Sequence, residues 1–206
     1  MGQRIQIIFR IPEIYYNENN PNNEKEKILV FHNQWLYGIN FLKYADRLIY
    51  ALKDKIKHEK SLPFKTINYN DIIQKSIMYA NNRDLSYITN TNIYMDYKSL
   101  YNNSDNKYLK ESKNIDAFLD IWDNNNGFLY IKIDKKGKIS YDIITGFEDS
   151  EIRKRVNPKE YLNLFYEDSD MIKSGEYGVV KSIFNLNKVK RINIFNDLKK
   201  FQELLK

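Results

Sequence analysis

The sequence predicts an α+β fold: a single domain over residues 1–206, with a small sheet packed by amphipathic helices. Three observations carry this. Residues 127–146 alternate apolar and polar side chains about a glycine-bearing turn. Residues 41–56 repeat apolar positions at helical spacing, and no composition shift marks a linker. Core material is ample, since 42% of the residues are apolar and 17 Tyr, 11 Phe and 2 Trp supply large side chains.

Taken in order, residues 3–10 (QRIQIIFR) mix alternation with a short apolar run and predict a strand with one buried face. Residues 12–26 are rich in Pro, Asn and charge, which predicts an Asn-rich surface loop. The wholly apolar run Ile28 to Phe31 reads as a central strand. After Gly38, Phe41, Leu42, Ala45, Leu48, Ile49, Leu52 and Ile56 fall on one helical stripe, opposite Lys43, Asp46, Arg47, Lys53, Asp54, Lys55 and Lys57. Pro63 breaks the chain beyond that helix. A second helix is expected from Asp71, as N-cap, to Ala80.

Residues 81–107 give no clear element, and a short helix is expected over 115–122. In the hairpin, Leu129, Ile131 and Ile133 alternate with Tyr130 and Lys132. Ile139, Tyr141 and Ile143 likewise alternate with Ser140 and Asp142, and Gly137 sits where the turn needs a left-handed residue. Asn157-Pro158-Lys159-Glu160 carries a cap, Pro at the first helical position and an acid in the first turn, so a helix follows to about Glu167. The β-branched run Val179 to Phe184 reads as a strand, and Asn196 as the cap of a C-terminal helix. Together they make residues 181–206 a basic strand–helix segment.

Several function classes lose support at this level. Without cysteine there are no disulfides, thiolate nucleophiles or Cys-ligated metal sites. Neither phosphate-binding glycine motif is present, nor the nucleophile elbow of α/β-hydrolases. His32 and His58 are the only histidines, at a separation that matches no metal motif, so neither metal nor cofactor is expected. No run is long and apolar enough to span a membrane, and the opening MGQRIQIIFRIPE lacks the pattern of a signal peptide. A cytoplasmic protein without membrane contact is the expectation. The 26 Asn, 27 Ile and 26 Lys against 4 Ala and 7 Arg suggest a low-GC coding sequence, so codon bias accounts for part of the lysine excess.

Two candidate sites remain. His32, Asn33, Gln34, Trp35 and Tyr37 crowd hydrogen-bonding and aromatic side chains between the expected strand and the long helix, a place where ligands often bind. His32 would be the general acid–base there, with a carboxylate such as Asp142. The second candidate is the basic C-terminal face. Lys181, Lys188, Lys190, Arg191, Lys199, Lys200 and Lys206 face only Asp197 and Glu203 in that segment, and Lys188, Lys190 and Arg191 would be its phosphate contacts.

Three functions follow as expectations. The favoured one is a small protein-binding factor, an inhibitor encoded by a phage or mobile element, that occupies a host protein or nucleoprotein complex such as one of host defence. The alternatives are an enzyme on nucleotides or nucleic acid working through the His32–Tyr37 junction, and a direct nucleic-acid binder using the basic C-terminal face. The favoured reading rests on the tyrosine-rich composition, suited to interfaces, and on the missing catalytic motifs.

Overall fold

The structure is a computed structural model that describes residues 4–13, 25–34, 36, 38–62, 67–81, 95–96, 127–145, 154–165 and 177–197. The helix expected over 115–122, most of the 81–107 segment and the C-terminal helix beyond Asp197 lie outside these residues. What is described is an α+β fold with a mixed sheet.

Strands β1 (Arg4–Glu13) and β2 (Lys25–Gln34) pair antiparallel from Arg4↔Gln34 to Glu13↔Lys25. The long helix α1 (Gly38–Ser61) and α2 (Tyr69–Asn81) follow, then a two-residue strand β3 (Met95–Asp96) beside Leu29 and Val30. β4 (Phe128–Ile133) lies parallel to β1, and β5 (Ile139–Thr145) returns antiparallel to it. β6 (Lys154–Val156) pairs with the second half of β5. After helices α3 (Pro158–Phe165) and α4 (Tyr177–Asn187), β7 (Lys190–Arg191) runs parallel to the first half of β5. The sheet order is β3-β2-β1-β4-β5-β6, with β7 beside β5. None of the described helices is long and apolar enough to cross a membrane.

The hairpin forms as its alternation predicts. Gly137 has φ 69°, the Gly137 amide donates to the Asp134 carbonyl at 2.7 Å, and the Lys138 amide donates to Asp134 Oδ1 at 2.8 Å. A Cβ at Gly137 would stand 2.7 Å from Ile56 Cγ2, so the turn can lie against α1 only because this residue has no side chain. Asn157 caps α3, accepting from the amides of Lys159 and Glu160 at 2.9 Å each, while the Asn157 amide donates to Glu160 Oε2.

Five expectations need correction. The run Val179 to Phe184 is part of helix α4, not a strand. Val179, Ser182 and Leu186 are buried with Ile183 half-buried, a spacing of three and four that belongs to a helix, and packing on α1 overrides the β preference of paired valines. Four residues of the expected loop 12–26 are strand, since Pro12 and Glu13 pair with Glu26 and Lys25 inside the ladder, and residues 14–24 lie outside the described residues. The run Ile28 to Phe31 lies one strand in from the β3 edge, whereas β1 and β4 hold the centre. The caps of two helices move upstream. Asn68 Oδ1 accepts from the Asp71 amide at 3.2 Å, which leaves Asp71 in the first turn paired with Lys75. Asn193 Oδ1 accepts from the Phe195 amide at 3.1 Å, so Asn193 rather than Asn196 caps the last described turn.

The fifth correction concerns the sheet itself, which is buried on both faces. Ile5, Ile7, Phe9, Ile11, Leu129, Ile131, Ile133, Ile139, Tyr141 and Ile143 belong to one core cluster with the buried stripes of α1 and α2. Phe9 and Phe31 meet edge-to-face there at 5.6 Å. On the opposite face Gln6, Ile8, Arg10, Tyr130, Asp142 and Ile144 are also buried. Arg10, Tyr130 and Asp142 are held by the network described next, while Gln6 Oε1 is buried without a hydrogen-bond partner among the described residues.

Candidate functional site

The two predicted sites fare differently. β2 continues through Gln34, so His32, Asn33 and Gln34 sit in the strand ladder opposite Gln6, Ile5 and Arg4 rather than in a strand-to-helix junction. Trp35 and Tyr37 lie outside the described residues. The register carries His32 across Gln6 and Phe128 to Ile144 of β5. Its backbone is therefore three strand spacings from the row that holds Asp142, roughly 14 Å. His32 and Asp142 are not brought together.

Asp142 is instead the anchor of a clasp. Its carboxylate is fully buried and accepts from Arg155 Nε at 2.5 Å, from the Arg191 guanidinium at 2.8 Å and from the Ile194 amide at 3.2 Å. Arg155 also donates to the Ile192 carbonyl and Arg191 to the Val156 carbonyl, each at 2.7 Å. Of the three predicted phosphate contacts, Arg191 is thus committed to an internal carboxylate.

A second clasp lies on the same face. Asp197 accepts from Lys132 Nζ at 2.7 Å and from the Tyr130 hydroxyl, and pairs with Arg10, which also binds Glu26. Burial alone would raise the Asp197 carboxyl, but the hydrogen bonds from Lys132 and Tyr130 and the charge of Arg10 hold it below its usual range. The Tyr130 phenol is pushed well up by burial and by the adjacent carboxylate. The two clasps fasten residues 190–197 to the sheet. Their charged groups are matched to one another, so their chemistry is structural.

The open site forms where that fastened segment begins. Lys53 of α1, Gly137, Lys138 and Ile139 of the β4–β5 turn, and Asn187, Lys188, Val189 and Lys190 between α4 and β7 surround a groove of about 560 Å³. Four of these eight residues are lysines and none is acidic. All four lysines are exposed, while Ile139 and Val189 are buried beneath them. Each wall is fixed. The Lys60 ammonium donates to the Lys136 carbonyl and ties the turn to α1. Asn185 Nδ2 donates to Asp46 Oδ2 at 3.2 Å and ties α4 to the same helix. The Tyr141 hydroxyl donates to the Leu186 carbonyl at 3.1 Å, and burial pushes that phenol up to about 12. Lys190 pairs with Ser140 along β5.

Lys188 links the groove to α4, its ammonium lying 3.8 Å from the centroid of the Phe184 ring. Phe184 is 58% exposed, and Val180, one turn earlier, is 55% exposed. Among the described residues, no ion pair holds the ammonium groups of Lys53, Lys138, Lys188 or Lys190. Four such uncompensated ammonium groups around one opening give the groove a positive potential.

Sequence reasoning finds two of its lysines, Lys188 and Lys190, and misses Lys53 and Lys138. In the sequence Lys53 is one of several charges on the solvent stripe of α1, and Lys138 one of three lysines around Gly137. Only the contact between turn and helix selects them. Against known proteins, no family model, curated protein or solved structure matches the chain.

Proposed function

We propose that this protein acts by binding, and that its ligand is a nucleic acid or the nucleic-acid part of a nucleoprotein complex, gripped through phosphates by the lysine groove. The observation that carries the proposal is the convergence of Lys53, Lys138, Lys188 and Lys190, from three separate elements, on one groove lined by no carboxylate. Four such cations neutralise backbone phosphates and release condensed counterions, a source of affinity that needs no sequence readout. Lysines rather than forked arginines suit backbone contact over base recognition.

A second reading, a protein partner on the same side of the molecule, is favoured by the exposure of Val180 and Phe184 on α4. Inhibition of a host complex is compatible with either surface.

Fluorescence anisotropy with labelled DNA and RNA 20-mers separates the two readings. Affinity should fall steeply with salt. Charge reversal of all four lysines should lower it by about a hundredfold or more and flatten the salt slope by roughly 0.7 per lost phosphate contact. Circular dichroism should be unchanged, because all four side chains are exposed. Binding that ignores salt and survives the reversals would leave the protein-partner reading.

A further inference from the structure

We propose that the strand in the groove is single, and that one of its bases stacks on Phe184. The inference rests on the groove being a phosphate site and adds the form of the ligand. The Phe184 ring is 58% exposed on the outer side of α4, where it forms an apolar patch with Val180, 55% exposed one turn earlier. α4 could have turned it inward, but the inward positions are taken by Val179, Ser182 and Leu186. The ring is also beside the groove, since Lys188 lines the groove and places its ammonium 3.8 Å from the ring centroid. An aromatic face and a phosphate-binding cation are thus neighbours within one turn of helix.

That juxtaposition discriminates between forms of nucleic acid. In a duplex the base faces are stacked inside and only phosphates, sugars and groove edges reach the protein. A single strand offers a base face and its own phosphate together, which is what aromatic–cation platforms recognise. On binding, Lys188 exchanges the Phe184 ring for a phosphate and the base takes its place on the ring. Arg191, the one arginine next to the groove lysines in sequence, is bound to Asp142, so stacking here tolerates any base. The occupant is a short pyrimidine or purine strand of either sugar.

The test compares labelled (dT)12 and (rU)12 with a 12-base-pair duplex at fixed salt, using the wild type, Phe184→Ala and Phe184→Trp. Single strands should bind the wild type more tightly than the duplex. Phe184→Ala should lose about fivefold or more in single-strand affinity while keeping both its salt slope and its duplex affinity. Phe184→Trp should restore binding, and its added indole emission should be quenched by the strands but not by inorganic polyphosphate. If Phe184→Ala leaves single-strand affinity unchanged while Lys188→Glu and Lys190→Glu reduce it, the groove holds phosphates and the stacking proposal falls alone. A preference for duplex also overturns it. If no oligonucleotide binds and the lysine reversals change nothing, the phosphate reading falls as well.

Discussion

Two regions of this molecule use cationic side chains to opposite ends. On the second face of the sheet, Arg10, Lys132, Arg155 and Arg191 are drawn onto Glu26, Asp142 and Asp197. In the groove, Lys53, Lys138, Lys188 and Lys190 surround an opening without a carboxylate. The first arrangement joins strands and the 190–197 segment, and each of its cations is matched to a carboxylate within the fold. The second leaves its charges to whatever arrives. A count of basic residues cannot separate these cases. What separates them is the presence of an acid within reach, and that is a property of the tertiary structure. The two regions meet at residues 190 and 191, where one chain direction supplies a groove lysine and then a clasp arginine.

The largest expected effect is on the clasp. Asp142→Ala removes a fully buried carboxylate and leaves Arg155 and Arg191 facing each other without their anion. Breaking a buried pair from one side costs several kcal/mol, and the arginines are each about one third exposed, so the loss should lie near the lower limit, about 3 kcal/mol. Urea denaturation measures it. A loss below roughly 1 kcal/mol would mean that the Asp142 clasp adds little to what the Asp197 clasp and the β5–β7 pairing already hold.

A smaller effect follows acid. The Asp197 carboxyl is held below its ordinary value by Lys132, Tyr130 and Arg10 against the pull of burial. Its proton is therefore bound more tightly by the unfolded chain, and its stabilisation is complete above the unfolded value near 4. It is lost as the pH falls through the lower, folded value. Asp197→Asn should thus be less stable than the wild type by about 2 kcal/mol at pH 7, the scale of hydrogen bonds to a charged group. The gap should close below about pH 4 as the wild-type carboxyl takes up its proton. Denaturation midpoints of the two proteins between pH 3 and 7 give the difference, and a gap constant over that range would rule out the ionised clasp.

How far the sequence foretells these regions depends on whether the information is local. The β4–β5 hairpin and the Asn157 cap are written within a few residues, and both form as read. Helix α4 was hidden because its buried positions, Val179, Ser182 and Leu186, include a serine, while the outward Val180 and Phe184 look like core. A periodicity argument reads such a segment by its apolar letters and assigns the wrong element. The second buried face was hidden for a related reason. Gln6, Arg10, Tyr130 and Asp142 alternate with apolar neighbours as solvent-facing residues do. For the charged and phenolic groups among them, partners far along the chain make burial tolerable: Asp197 for Arg10 and Tyr130, and Arg191 for Asp142. The groove fails to show for the same reason, since Lys53, Lys138 and Lys188 are each separated by at least fifty residues, as their numbers state. His32 drew attention by its rarity, which is a fact of composition and says nothing about what stands opposite it.

The closest comparison, and the smallest expected effect, is between adjacent residues of β7. Lys190 is exposed at the groove, while the Arg191 guanidinium joins Asp142 to the Val156 carbonyl. Lys190→Ala should leave stability within about 0.5 kcal/mol of the wild type, as for most exposed substitutions. Its oligonucleotide affinity should fall several-fold, with a salt slope reduced by roughly 0.7. Arg191→Ala should behave in the opposite way. Asp142 keeps Arg155 and the Ile194 amide, so the cost is that of one charged hydrogen-bonding partner, about 1–2 kcal/mol. The salt slope should not change, because Arg191 spends its charge inside the protein. Each variant is measured twice, by urea denaturation and by anisotropy over a salt series. If Arg191→Ala lowers the slope as Lys190→Ala does, the guanidinium leaves Asp142 for the ligand, and the division between the two regions fails at their shared strand.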